Sequence, residues 1–124
     1  MSDTSYKTIK LDFVAEGLFE DRKSRFIAQL CHVETETEAQ EFLATVRAKH
    51  YNARHNVPAW ILEDGTERAS DDGEPSRTAG MPVLEVLRGA GLKNVCCVVT
   101  RYFGGTLLGP GGLVRAYTAA TQEA

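Results

Sequence analysis

The sequence predicts a two-layer α+β domain of order ββαβαβα, a four-stranded sheet with its helices on one face. Three observations carry that class. The hydrophobic period switches between two and 3.6 residues along the chain, strand and helix in turn. Val95 to Val99 is continuously apolar, as a central strand covered on both faces would be. The 124 residues, 43% of them hydrophobic, suffice for one core, so residues 1–124 read as a single domain.

Each element has its own signal. Ile9, Leu11 and Phe13 alternate with Lys10 and Asp12, the period of a half-buried strand, and Glu16 to Lys23 reads as a turn-like stretch. Phe26, Ala28 and Leu30 then alternate with Arg25, Ile27 and Gln29, so the two strands are expected to form an antiparallel hairpin. Ala39, Phe42, Leu43 and Val46 fall at i, i+3, i+4 and i+7, one apolar face of a helix over 37–50. Thr35 with Glu38 supplies a capping box at its start. Val57 to Leu62 is a short third strand, where Pro58 implies an edge position or the strand's first turn.

Residues 63–80 are polar and glycine-punctuated, a long loop of the kind that is usually functional or mobile. Met81 to Arg88 reads as a helix, with Pro82 in its first turn and Gly89 or Gly91 at its end. Strand 95–99 follows. After a glycine-rich turn, Leu113, Ala116, Tyr117 and Ala120 repeat the helical spacing over 111–122. The chain reaches TAATQEA with that helix still running and no glycine or proline stop, which predicts a natural continuation.

Composition narrows the function classes. The apolar content excludes a disordered chain, and no apolar run approaches the roughly 18 residues of a membrane span. The N-terminus lacks the pattern of a signal or transit peptide, so a soluble cytoplasmic protein is expected. With 14 Lys/Arg against 17 Asp/Glu the net charge is −3, which argues against a whole-surface nucleic-acid binder. The charge is unevenly spread, however. Residues 1–74 hold 9 basic and 15 acidic groups, whereas residues 75–124 hold five basic and two acidic, a net +3 that permits a local anion-binding face. Cys31, Cys96 and Cys97 lack metal-ligand spacing. Adjacent in a strand, Cys96 and Cys97 point to opposite faces and read as free core thiols of a reducing compartment.

Two segments carry candidate chemistry. In RYFGGTLLGPGGLVR, Gly104, Gly105, Gly109, Gly111 and Gly112 fall between a buried strand and a helix, with Arg101 and Arg115 flanking them. Bare amides at a helix start, with the dipole behind them, bind anions, and Tyr102 could stack on a base. A tight turn needing glycine for steric reasons explains the same pattern. Pro110 stands where a P-loop needs lysine, and Val114 where a dinucleotide fingerprint needs its last glycine. The second segment, with Asp71, Asp72, Gly73, Glu74 and Arg77, is a candidate partner loop. Its carboxylates could hold Mg²⁺ or form a solvated acidic turn, with Thr78 capping the next helix. Lacking a second ligand set, it earns no metal, and no cofactor is implied. His50 and His55 miss the spacing of a helical metal pair, and no catalytic set is visible.

GLKNVCCVVTRYFGGTLLGPGGLVRAY, with the preceding DDGEPSRTAGMPVL and KSRFIA, resembles the IMPACT family, its bacterial YigZ-like branch in particular. The likeness runs from about Lys7 to the chain end and is most specific from Arg101 to Gly109; His55-Asn56 fits it too. Arg77, where the family often has a small residue, and Trp60 depart from it. The resemblance implies the N-terminal IMPACT domain, of the fold shared with a domain of ribosomal protein S-five, elongation factor G and the GHMP kinases. The usual second, ferredoxin-like domain is absent from these residues. It also implies a role in translation, since eukaryotic relatives restrain a starvation-activated initiation-factor kinase by competing for its coactivator.

The leading expectation is therefore a non-enzymatic, translation-associated module. It would bind RNA, the ribosome or another phosphate-bearing ligand through Arg101, Tyr102, the five glycines and Arg115. The alternative is a protein-binding regulator of translation initiation or the stress response, using the loop with Asp72, Gly73, Glu74 and Arg77. A weaker third is an enzyme of the GHMP-kinase type.

Overall fold

A computed structural model describes residues 14–124, so the alternation at Ile9 to Phe13 lies outside the described residues. Five strands and three helices follow: β1 (Val14–Asp21), β2 (Ser24–His32), α1 (Glu36–Lys49), β3 (His55–Ile61), β4 (Glu67–Ala69), α2 (Gly80–Gly89), β5 (Val95–Tyr102) and α3 (Gly109–Glu123). The sheet order is β1-β2-β5-β3-β4, every neighbour antiparallel. The α+β class and the central place of β5 agree with expectation. The strand count, the side on which the helices lie and several local details do not.

β1 occupies the stretch expected to turn. Its Glu16, Glu20 and Asp21 hide the alternation, because only Gly17 on this edge strand is buried. The actual turn is two residues, Arg22 and Lys23, both left-handed at φ 49° and 69°, and it sets Asp21 opposite Ser24. β4 is the strand missing from a four-stranded reading: three residues, Glu-Arg-Ala, carry no apolar signal. They pair with Ala59, Trp60 and Ile61, which makes part of the long loop a hairpin turned at Glu63-Asp64.

The helices cover both faces, not one. Val95, Cys97 and Val99 face α2 and α3 in a core with Phe26, Leu84, Leu87 and Tyr117. Cys96 and Val98 face α1 in a second core with Trp60, Val33 and Val46. Helical periodicity fixes which side of α1 is apolar, but it cannot say on which side of the sheet that helix lands. The two cysteines do part as strand alternation requires, and all three are free thiols. Burial pushes the Cys97 thiol up to about 12 and Cys31, helped by the nearby charge of Glu38, up to about 11.

Pro58 lies in the middle of β3, past its first turn, at a stretch that β4 does not pair. It stands opposite Val98 of β5, and its carbonyl accepts from Ser70 N–H at 3.2 Å on the β4 side. A strand residue's N and C=O point to the same side. The missing N–H therefore faces the stretch beyond Ala69, where β4 has ended, and β5 loses nothing.

The helix caps are partly as read. Thr35 Oγ1 accepts from Glu38 N–H at 3.1 Å, and the Glu38 carboxylate answers one residue before the cap, at Glu34 N–H, 2.7 Å. Thr78 does not cap α2; its hydroxyl donates to Pro75 C=O at 2.6 Å. Asp71 does this from eight residues upstream, accepting from Ala79 N–H at 3.2 Å and Gly80 N–H at 2.9 Å.

Candidate anion-binding site

The inward parity of β5 runs Val95, Cys97, Val99 and then Arg101, so an arginine follows three core residues on the same face. The register places Arg101 between Phe26 of β2 and His55 of β3. The loop before α2 lowers Glu74 onto this row, and α3 adds Tyr117. The side chains of Arg101 and Glu74 are 6% and 3% exposed. Arg101 Nη1 donates to both Glu74 oxygens, at 2.9 and 2.8 Å, and Tyr117 Oη donates to Glu74 Oε2 at 2.5 Å. Burial, and next to it the Glu74 charge, pushes the Tyr117 phenol well up, so it remains a donor.

His55 completes the cluster. Its Nδ1 lies 2.6 Å from Asp72 C=O; a carbonyl only accepts, so Nδ1 carries a proton. Nε2 is thereby left facing Glu74 Oε1 at 3.6 Å. One group is orphaned. An arginine–carboxylate fork normally uses two nitrogens, but here Nη1 takes both oxygens, and buried Arg101 Nε has no partner among the described residues. Leaving such a donor unpaired costs about 1–3 kcal/mol or more.

A cavity of about 270 Å³ adjoins the cluster, lined by Arg54, His55, Glu74 and Arg101, by Phe103, and by Gly109 and Pro110 at the start of α3. Pro110 lies in the first turn of α3, and the capping residue, Leu108, offers no side-chain hydrogen bond. Gly111 and Gly112 follow with their amides in that same turn.

The glycines divide by role. A Cβ on Gly104 would lie 2.2 Å from the Lys23 carbonyl carbon, so this position is steric, and its N–H donates to Ser24 Oγ at 3.0 Å. Gly109 enters α3 at φ 74°, a left-handed conformation that a side chain would strain. Gly105, Gly111 and Gly112 complete the turn.

Four arginines from four segments surround this turn. Arg22 Nη1 donates to Leu107 C=O at 3.4 Å. Arg54 lies 4.5 Å from the Phe103 ring centroid, and Arg101 lies 5.6 Å from it. The exposed Arg115 reaches back along α3 to within 3.5 Å of where a Gly111 Cβ would stand. Sequence proximity suggested Arg101 and Arg115; Arg22, Arg54, His55 and Tyr117 were missed. Chain distance hides the first three, although parity with Val95, Cys97 and Val99 would have marked Arg101 as inward.

Tyr102 does not join them. Strand alternation sends it to the α1 face, where its hydroxyl shares a 2.5 Å hydrogen bond with His50 Nδ1 and Arg25 lies 5.5 Å from its ring. Burial, then the Lys49 charge, holds His50 below the usual imidazole range. Nearby on that face the Thr100 hydroxyl donates to Asn56 Oδ1 at 2.7 Å and lies 3.5 Å from Gln29 Oε1.

The acidic loop is largely engaged within the fold. Asp72 accepts from Arg47 at 3.2 Å and from Asn56 N–H at 2.8 Å, while Glu74 is buried. Gly73 and Arg77 remain exposed, and no described contact links the Arg77 side chain to the glycine turn. Among the described residues no group of three or more His, Cys, Asp or Glu is placed to hold a metal ion. No helix among them is long and apolar enough to cross a membrane.

A mixed sheet-and-helix module with arginines gathered on a glycine turn is the class these observations define. Residues 22–124 match the Impact N-terminal domain, and the chain belongs to the IMPACT family. It is 51% identical over 121 residues to the IMPACT family member YvyE of Bacillus subtilis, covering 96% of this chain and 55% of the relative. Against the IMPACT family member YigZ of Escherichia coli the identity is 46% over 109 residues, 85% of this chain and 53% of the relative. A solved structure described as the two-domain translational regulator Yih1 superposes with a TM-score of 0.57 at 27% identity, over 99% of this chain and 50% of that one. The chain thus spans about half the length of the relatives it matches.

Proposed function

We propose that this domain is a non-enzymatic, translation-associated module that binds phosphate groups of RNA, free or on the ribosome, at the turn entering α3. The observation behind this reading is the convergence of Arg22, Arg54, Arg101 and Arg115 on one glycine turn beside an uncapped helix start. Exposed Arg54 and Arg115 make the outer phosphate contacts, with the amides of Gly111 and Gly112 behind them. The description of Yih1 as a translational regulator supports the setting.

The test is Arg54→Ala and Arg115→Ala, each checked for unchanged melting and then titrated with RNA across a salt series. Affinity is expected to fall about tenfold per lost charge-assisted contact. The slope of log K against log salt shrinks by about 0.7–0.9 per contact. Unchanged affinity in both variants, or no RNA binding by the parent, overturns the reading. Second place then rises to a protein-binding regulator of translation initiation or the stress response. It is favoured by the tip of the acidic loop, where Gly73, Pro75, Ser76 and Arg77 face solvent.

A further inference from the structure

We infer that the cavity beside Arg101 is a binding site for one nucleotide carrying a phosphate monoester, either free or at the phosphorylated end of an RNA strand. The inference rests on the phosphate reading of the α3 turn and adds which phosphate is taken. Two independent observations point to a ligand. The helix start contributes Gly109 and Pro110 to the wall and has no side-chain cap. Arg101, its side chain 6% exposed, lines the same cavity and holds an Nε with no partner among the described residues.

Depth selects the kind of phosphate. An internal phosphodiester carries a sugar on each side, and both would have to follow it inward to reach a buried nitrogen. A monoester has one sugar and can be lowered end-on. The space agrees: about 270 Å³ falls below the usual range for drug-sized ligands, room for a single unit and not for a passing strand. Charge agrees as well. Arg54 and Arg101 against Glu74 leave a formal +1 in the lining, and Glu74 is held on the Nη1 side of Arg101 by Tyr117.

The wall also suits a base. Phe103, 37% exposed, carries the Arg54 guanidinium 4.5 Å from its ring centroid, and the two together present a flat, sequence-tolerant stacking surface. Leu107, Leu108, Pro110 and Leu113 add an apolar side to the lining.

The experiment follows the Arg101 Nε–H signal by NMR in the intact chain. The probes are adenosine monophosphate, adenosine, inorganic phosphate, and one short RNA oligomer with either a phosphate or a hydroxyl at each end. Adenosine monophosphate is expected to shift the Nε–H signal, and adenosine to leave it unmoved. A phosphate-ended oligomer is expected to bind at least tenfold tighter than its hydroxyl-ended twin, and Phe103→Leu, a surface change, to weaken both ligands severalfold. A phosphorylated oligomer binding tenfold above the mononucleotide identifies a strand end as the source; equal affinities identify free nucleotide. If both oligomers bind alike and the Nε–H signal stays still, the inference is overturned while RNA binding through Arg54 and Arg115 stands. If no oligomer binds but the mononucleotide shifts Nε–H, the site stands and the RNA reading falls.

Discussion

β5 delivers Arg101 to one face of the sheet and Thr100 with Tyr102 to the other, and the two faces treat buried polarity differently. On the α2/α3 face a charge pair, Arg101 and Glu74, is sunk beneath a cavity with Tyr117 bound and one nitrogen unmet. On the α1 face the polar groups are neutral: Thr100 between Asn56 and Gln29, and Tyr102 against His50. Neutral amides and hydroxyls can close on one another and need no further partner. A buried guanidinium with five N–H donors cannot be satisfied by one carboxylate meeting a single nitrogen. The first face therefore holds a charged pair with one donor left over, the second a closed set of neutral partners.

Removing one member of each cluster separates them most sharply. Glu74→Ala leaves the Arg101 charge buried and unpaired, and urea unfolding is expected to show a loss of about 3–5 kcal/mol. A loss no greater than that of a neutral change on the opposite face would erase the distinction. Tyr117→Phe removes one donor to a charged acceptor and is expected to cost about 1.5–3 kcal/mol by the same measurement. Thr100→Val keeps shape and burial but deprives neutral amide oxygens of a donor; about 1 kcal/mol is expected. A larger loss for Thr100→Val than for Tyr117→Phe would reverse the assignment of charged and neutral faces.

The smallest effect is one of pH. His50 has its folded-state value lowered from 6.5, so below that pH the unfolded chain binds more protons than the folded one. The associated stability is present above about pH 6.5 and is lost as pH falls through the lower folded value. Melting temperature measured between about pH 7 and 5 should drop more in the parent than in His50→Gln. Equal slopes would show that burial and the Lys49 charge do not hold His50 below its ordinary value.

Much of this was legible beforehand, and the rest had physical reasons for silence. β2 and α1 announce themselves because each buries a periodic apolar face, and β5 because its apolar run is unbroken. β1 and β4 do not: the one buries only a glycine, the other nothing. The glycine turn was recognisable from its residues. Its partners were not, because Arg22, Arg54 and Glu74 reach it only through the hairpin register and the fold of the loop before α2. That Arg101 turns inward follows from its parity with Val99 and Cys97, a signal masked by the unbroken apolar run.

The proline in β3 has a consequence for self-association. A half-covered strand ordinarily offers its free backbone to a strand from another molecule. Here β4 covers only Ala59 to Ile61. Ahead of it, Asn56 N–H is taken by the Asp72 carboxylate, Pro58 has no N–H to give, and its carbonyl already holds Ser70. Neither outward position of that margin has a free N–H to give a foreign strand, so this stretch resists amyloid-like extension without a longer β4 to shield it.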